Sequence, residues 1–410
     1  MPIAGKSAVR SRGGKPRLSR RKKILFAVIS CVGFLVCTEL AIRIGAFFVY
    51  NRSPYFLLYG LKTAMADDHP ETGEGHSAGF DGYFKFPPDR TLHQYGLFKD
   101  PTPIRINSLG FRGPDFEADK PDGIFRVICM GGSSTFGYFA RDRFTYPALL
   151  ERRFAERLPA RKVEAINAGI PHADSDNLLA MLQDELTGYE PNVITIYTGF
   201  NDAYYLMDAT AFQKSLRWIH SHFATYVAFK RLVTALGGPQ MHSRWARYRK
   251  TVNQESVRVQ VDLHAERYER NLRELLADAR DSEIEVFFIL QSVDLVNKRR
   301  KGEVRTTYAE EVRAAENHLQ QEGWIDFHET TLLVQFRLME ILRTLAREEN
   351  VPIVDNIAIL DEHPEYFASY VHLTENGNGA LADALFDAIR PLASAEGQAN
   401  GVPESTPASQ

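Results

Sequence analysis

Four short runs hold side chains that could carry out nucleophilic chemistry. The first, Gly131-Gly132-Ser133-Ser134-Thr135-Phe136-Gly137, closes an apolar run and projects the Ser133 hydroxyl from a tight turn. The second, Asn167-Ala168-Gly169, and the third, Gly199-Phe200-Asn201-Asp202, also end apolar runs. The fourth, Val371-His372-Leu373-Thr374, leads into a helix-like stretch, Gly377–Ile389. A serine nucleophile needs a base, and an imidazole near neutral pKa can take the proton and return it to a leaving group. The tetrahedral intermediate needs donors aimed at its developing oxyanion; glycine admits a backbone N–H and asparagine offers its amide. Taken alone, a Gly/Ser-rich turn of this kind also serves simply as a turn between strand and helix. A phosphate-binding loop would need a Lys after its last glycine, and a dinucleotide loop would need three glycines at other spacings. The Gly-x-Ser-x-Gly elbow fails because Thr135 stands at its last glycine position.

The elements that must place these residues are legible as well. Apolar runs at Phe125–Met130, Val163–Asn167, Val193–Tyr197, Val286–Leu290 and Pro352–Val354 read as buried strands. Between them, Leu149, Leu150, Phe154 and Leu158 recur at helical spacing, as do Leu178, Leu179, Leu182 and Leu186, and Tyr268, Leu272, Leu275, Leu276 and Ala279. The alternation predicts an α/β three-layer fold, a doubly wound parallel sheet, with its site at the carboxyl ends of the strands.

Taken in order, the four runs resemble the blocks of the SGNH (GDSL-like) hydrolase family over roughly residues 124–392. The resemblance implies Ser133 as nucleophile, His372 as general base, and Gly169, Asn201 and the Ser133 N–H as oxyanion donors, with no cofactor and no metal. Residues 105–113, Arg-Ile-Asn-Ser-Leu-Gly-Phe-Arg-Gly, are similar to the lead-in of membrane-anchored bacterial members. Two positions depart from the family. Gly132 replaces the Asp usual before the serine, and Ser369 replaces the Asp usual three residues before the histidine. Losing such a carboxylate from a triad costs about ten-thousand-fold. Ser369, Asp361, Glu365 or a backbone carbonyl is therefore expected to orient His372. The activity implied is an acyl-serine esterase on an acylated small molecule or saccharide. An O-acyltransferase and a catalytically silent envelope protein are the alternatives.

The remaining chain sets the context. Hydrophobic residues make up 44% and charged residues 25% of 410, the balance of an ordinary globular core. Residues 1–23 carry nine Lys or Arg and no acid, and Ile24–Thr38 holds no charge. Residues 24–50 would span about 40 Å as a helix, enough to cross a bilayer. Glu39 and Arg43 stand four apart and can pair. The cations before this run place the N-terminus in the cytoplasm and the rest outside, and the resemblance to membrane-anchored bacterial members implies the periplasmic side of an inner membrane. A cleaved signal peptide is the rival reading, but no convincing small-x-small cleavage site follows the run. Three cysteines are too few for a disulfide framework. Residues 51–123 read as an irregular lead-in and 204–262 as an inserted cap with an aromatic helix (Phe212 to Phe229). Residues 293–350 read as charged helix in the same superstructure, and 393–410 as a disordered tail. The basic aromatic run Arg244–Lys250 reads as a solvated or membrane-facing surface rather than a nucleic-acid site. His172 is expected on a loop surface or lining the site. His220 and His222, two apart on different helical faces, are not expected to share a metal. Asp202 either braces its loop or touches substrate.

Overall fold

In a computed structural model the described residues are 19–49, 86, 88–94, 102–204, 223, 225, 252–295 and 306–399. The chain begins with helix α1 (Arg20–Val49) and a hairpin of strands β1 (Arg90–Gln94) and β2 (Thr102–Ile106). The α/β domain follows: β3 (Phe125–Gly131), α2 (Ser133–Phe136), α3 (Tyr146–Arg157), β4 (Val163–Gly169), α4 (Ser175–Asp184), β5 (Val193–Tyr197) and α5 (Phe200–Tyr204). It continues with β6 (Val252–Asn253), α6 (Gln254–Asp281), β7 (Glu285–Ile289), α7 (Tyr308–Glu322), β8 (Trp324–Ile325), α8 (Phe327–Glu349), β9 (Ile353–Val354), α9 (Asn356–Glu362) and α10 (Glu375–Ala399).

The central sheet runs β4-β3-β5-β7-β9, every neighbouring pair parallel. The order reverses between β3 and β5, and it is there that an open sheet of this order leaves a crevice for ligand. All seven residues of β3 are buried. Alternate side chains of the strands feed two cores, as the period of two requires. Val127, Cys129, Phe287 and Ile289 pack with Leu150 and Phe154 of α3 and Leu385 and Phe386 of α10. Ile128, Met130, Ile194 and Phe288 pack with Leu182 of α4, Leu272 of α6 and Leu342 of α8 on the other face. Each fully buried Leu or Phe contributes about 1.5–3 kcal/mol of transfer free energy.

Several boundaries differ from the sequence expectation. The lead-in is not wholly irregular: Ile104 and Ile106 face inward and Pro103 and Arg105 outward on β2, an alternation too short to stand out in sequence. Its Arg112 pairs with Asn167 on the β4 edge, so the lead-in extends the sheet. Helix α8 is no part of a cap. Its charges line one side while Leu338, Leu342 and Leu345 are fully buried against the sheet layer. The predicted tail begins too early, because α10 runs on through Pro391 to Ala399 with Ala393 buried. The inserted segment also ends sooner than 262: Asn253 caps α6 by accepting the Ser256 N–H at 2.9 Å. The Arg244–Lys250 run, His220 and His222 lie outside the described residues, as does the aromatic helix apart from Phe223 and Thr225.

Helix α1 is exposed along nearly its whole length, with mean hydropathy 2.3 over Arg20–Gly45, long and apolar enough to cross a membrane. Arg43 Nε donates to Glu39 Oε1 at 2.7 Å, the pairing its i,i+4 spacing suggests. The Thr225 N–H and hydroxyl both donate to the other Glu39 oxygen, at 2.8 and 2.7 Å.

Candidate active site

The tips of three loops meet at the carboxyl edge of the sheet, where β3 and β5 diverge. Ser133 is the first residue of α2, directly after β3. Its Oγ lies 2.8 Å from His372 Nε2. His372 is buried on the loop before α10, and its Nδ1 lies 2.6 Å from Ser369 Oγ. That loop is a tight reversal: Phe367 and Leu373 form an antiparallel bridge, and the Ala368 N–H donates to the His372 carbonyl at 2.8 Å. The Ser134 hydroxyl donates to the Val371 carbonyl at 3.1 Å and ties this loop to the serine turn.

The lead-in holds the other end of α2. Buried Arg112 donates from one nitrogen to the carbonyls of Phe136 and Gly137, and from another to that of Ala140, at 2.7–2.9 Å. Phe136 and Gly137 are the last residue and the cap of α2, where a helix leaves carbonyls short of partners. Asp142 pairs with the same guanidinium at 2.8 Å. The motif Arg105–Gly113 was visible in sequence, but its grip on the serine turn was not.

Asn201 opens α5 just after β5, and its amide donates to the Ala173 carbonyl at 2.8 Å. It comes so close to the serine turn that a Cβ on Gly132 would fall 2.5 Å from the Asn201 amide nitrogen. The family's usual Asp could not stand at Gly132 without moving that amide.

The structure thus brings Ser133, Asn201, Ser369 and His372 together. Three other predicted residues stay apart. The Gly169 N–H donates to Asn167 Oδ1 at 3.0 Å, and Gly169 lies beneath α2, where a Cβ would fall 2.5 Å from the Thr135 carbonyl carbon and closer still to the Phe136 nitrogen. Its glycine identity answers to packing. Asp361 accepts the Tyr308 N–H at the start of α7 at 2.9 Å, and Glu365 lies 3.2 Å from His363 Nδ1. Neither reaches the His372 ring. His172 is half-buried in a left-handed conformation (φ +65°), and burial takes its pKa down to about 4. Asp202 is fully buried and braces its loop: one oxygen accepts the Ser175 N–H and hydroxyl, the other the Thr198 hydroxyl. Cys129 is buried, which pushes its thiol up to about 12 and leaves it inert.

A cleft of about 200 Å³ opens beside Ser133, lined by Asn201, Ala173, Gly199, Gln291 and Val371 among others. Around the imidazole stand Tyr138, Phe139 and Tyr370, with ring centroids 5.3, 5.4 and 6.1 Å from His372. Phe139 is held at φ +67°, a costly conformation for a bulky residue, of the sort that gathers at functional sites. These aromatics were not singled out in sequence, since nothing there marks which rings converge.

A parallel sheet in this order, with a serine–imidazole contact at its switch point, defines a serine hydrolase of the three-layer α/β class. The profile of the GDSL-like Lipase/Acylhydrolase family matches residues 129–380, and the chain belongs to that family of ester-hydrolysing enzymes. Among solved structures, the lipase/acylhydrolase from Enterococcus faecalis is 15% identical, aligned over 65% of this chain and 96% of that one at TM-score 0.39. An acetylxylan esterase from Geobacillus stearothermophilus is likewise 15% identical over 65% and 94% at TM-score 0.39. The acetyl xylan esterase AlAXEase is 16% identical over 65% and 100% at TM-score 0.38. No curated protein matches the chain in sequence.

Proposed function

We propose that the protein is a short-chain acyl esterase that works through an acyl-serine intermediate, held at the outer face of a membrane by α1. The observation that carries this reading is the relay Ser133 Oγ to His372 Nε2 at 2.8 Å and His372 Nδ1 to Ser369 Oγ at 2.6 Å. In the working tautomer Nδ1–H donates to Ser369, so the Nε2 lone pair faces the Ser133 hydroxyl. Nε2 takes that proton as Oγ bonds to the ester carbonyl carbon. The bond to the leaving oxygen then breaks, and the imidazolium returns its proton to the departing alcohol. Water repeats both steps and releases the acid.

Two donors serve the oxyanion. One is the Ser133 N–H. The other is the second N–H of the Asn201 amide, whose first goes to Ala173. Gly169 has no part in this reading. The narrow cleft beside Ser133, walled by Asn201, Gly199, Gln291 and Val371, suits a short acyl group. The rings around His372 offer flat faces to a ring-shaped alcohol, which fits an acylated saccharide. Nine cations in residues 1–23, ahead of the apolar stretch of α1, favour a cytoplasmic N-terminus and a catalytic domain on the far side.

The test is covalent. A fluorophosphonate probe should label the full-length protein and not Ser133→Ala. Acetate release from acetylated saccharides should then exceed release from simple aryl acetates, and adding a saccharide acceptor distinguishes hydrolysis from transfer. Absence of labelling in folded protein overturns the reading.

A further inference from the structure

We propose that Arg267 on α6 is the positioning residue of the oxyanion site, an inference that rests on the esterase reading above. Asn201 and Ala173 meet through one 2.8 Å hydrogen bond, and each is followed directly by an acid, Asp202 and Asp174. The Arg267 guanidinium reaches both. It lies 3.6 Å from Asp202 Oδ1 and 3.6 Å from Asp174 Oδ2, and it donates to the Asp202 backbone carbonyl at 3.4 Å. One cation therefore grips the residue next to each half of the contact that presents the amide. The ion pairs are longer than hydrogen bonds, so the grip acts mainly through charge.

The surroundings fit this role. Asp176 also faces the guanidinium at 3.3 Å, and His264, fully buried three residues before Arg267, is kept neutral by burial and then by that charge. One turn beyond Arg267, Asn271 donates to the Ser175 hydroxyl and to Asp176, and the Tyr268 hydroxyl donates to the Thr198 carbonyl. A single face of α6 thus holds the loops after β4 and β5 together. Burial raises the pKa of Asp174 to about 7 against the pull of Arg267, and that of Asp202 rises for the same reason. Buried ion clusters are poor sources of stability, since well-packed apolar groups often do as well. This cluster directly supports the site, and positioning accounts for its place there.

The experiment compares full-length Arg267→Gln and Arg267→Lys with wild type on p-nitrophenyl acetate, with folding checked by circular dichroism and melting. A misplacement on the order of 1 Å costs about a hundredfold, so Arg267→Gln should lose about 10- to 100-fold in kcat with KM nearly unchanged. Its acid limb should move to higher pH, because Asp174 and Asp202 lose their facing cation and protonate earlier. Arg267→Lys keeps the charge and should recover most of the rate with the limb in place. A folded Arg267→Gln with wild-type kcat overturns the proposal, as does an equal loss in both variants with an unmoved limb. If Arg267→Gln does not fold, Asp174→Asn decides: it is isosteric and still caps α4, and full kcat with an unshifted limb overturns the role. Ser133→Ala run alongside separates the two readings, since equal rates in it and wild type would sink the esterase reading itself.

Discussion

Replacing Ser369 interrogates the most unusual feature of the site, a hydroxyl where a carboxylate would ordinarily hold the imidazole. Ser369 Oγ lies 2.6 Å from His372 Nδ1 and also accepts the His372 backbone N–H at 3.2 Å. In Ser369→Ala the Nδ1–H loses its acceptor inside a buried loop. An unsatisfied buried donor costs about 1–3 kcal/mol. At about 1.36 kcal/mol per tenfold in rate, kcat should fall about 5- to 150-fold. KM should hold, because Ser369 touches the base and not the substrate cleft. The loss is smaller than the roughly ten-thousand-fold seen when a triad loses its carboxylate, since no charge is removed. Ser369→Asp should act the other way. A hydroxyl can accept from Nδ1–H or donate to Nδ1, and the second arrangement puts the proton on Nε2, where it blocks attack. A carboxylate only accepts, so it enforces the working tautomer, and its charge favours imidazolium and moves the acid limb to higher pH. Rates of p-nitrophenyl acetate hydrolysis across pH 4–9 check both variants. A Ser369→Ala enzyme within about twofold of wild type, or a Ser369→Asp enzyme whose acid limb stays put, would refute the orienting role; the comparison is with the loss of about 5- to 150-fold expected of a buried unpaired donor.

Other outcomes follow from named contacts. Gly169→Ala should destabilise by about 1–3 kcal/mol or more, the usual cost of overpacking, because its Cβ meets α2 backbone that cannot swing aside; an unchanged melting temperature would contradict that packing. His264, whose pKa burial takes down to about 3 from 6.5, contributes stability that is fully present above pH 6.5 and lost as pH falls through about 3. The melting temperature of wild type should therefore drop more steeply across that window than that of His264→Gln, in which His172 and the shifted carboxylates still contribute their slope. Parallel curves would refute the assignment. Protein lacking residues 1–50 should stay in the supernatant after ultracentrifugation, whereas the full chain should resist carbonate extraction from membranes; an extractable full chain would end the spanning reading.

What the sequence disclosed, and what it withheld, divides along the distance over which an interaction acts. The five strands of the sheet were legible because burial on both faces writes continuous apolar runs, and Val193–Tyr197 matches to the residue. Ser133, Asn201 and His372 were legible because each sits at a strand end or helix start, where the family's blocks retain their order. Gly169 shows how one residue type answers two demands: an oxyanion donor and a close helix–strand crossing both call for glycine, and in the structure its N–H goes to Asn167 while a Cβ would meet α2. Asp361 and Glu365 were plausible partners for His372 by proximity in sequence, yet the short reversal at 368–372 folds Ser369 onto the ring and leaves both acids outside it. Arg267 gave no signal at all, and Arg112 showed only as a letter of the lead-in motif, because a charged residue on an amphipathic helix or in a lead-in loop looks like any solvated cation until the loops it serves arrive from elsewhere in the chain. Both grip backbone or acids next to the positions proposed as catalytic and touch none of the proposed reacting atoms. A sequence motif records the groups that meet substrate, since their chemistry restricts the residue type. The groups that aim them are restricted only by reach and charge, and those become visible when the fold brings α6 and the lead-in against the tips of the strands.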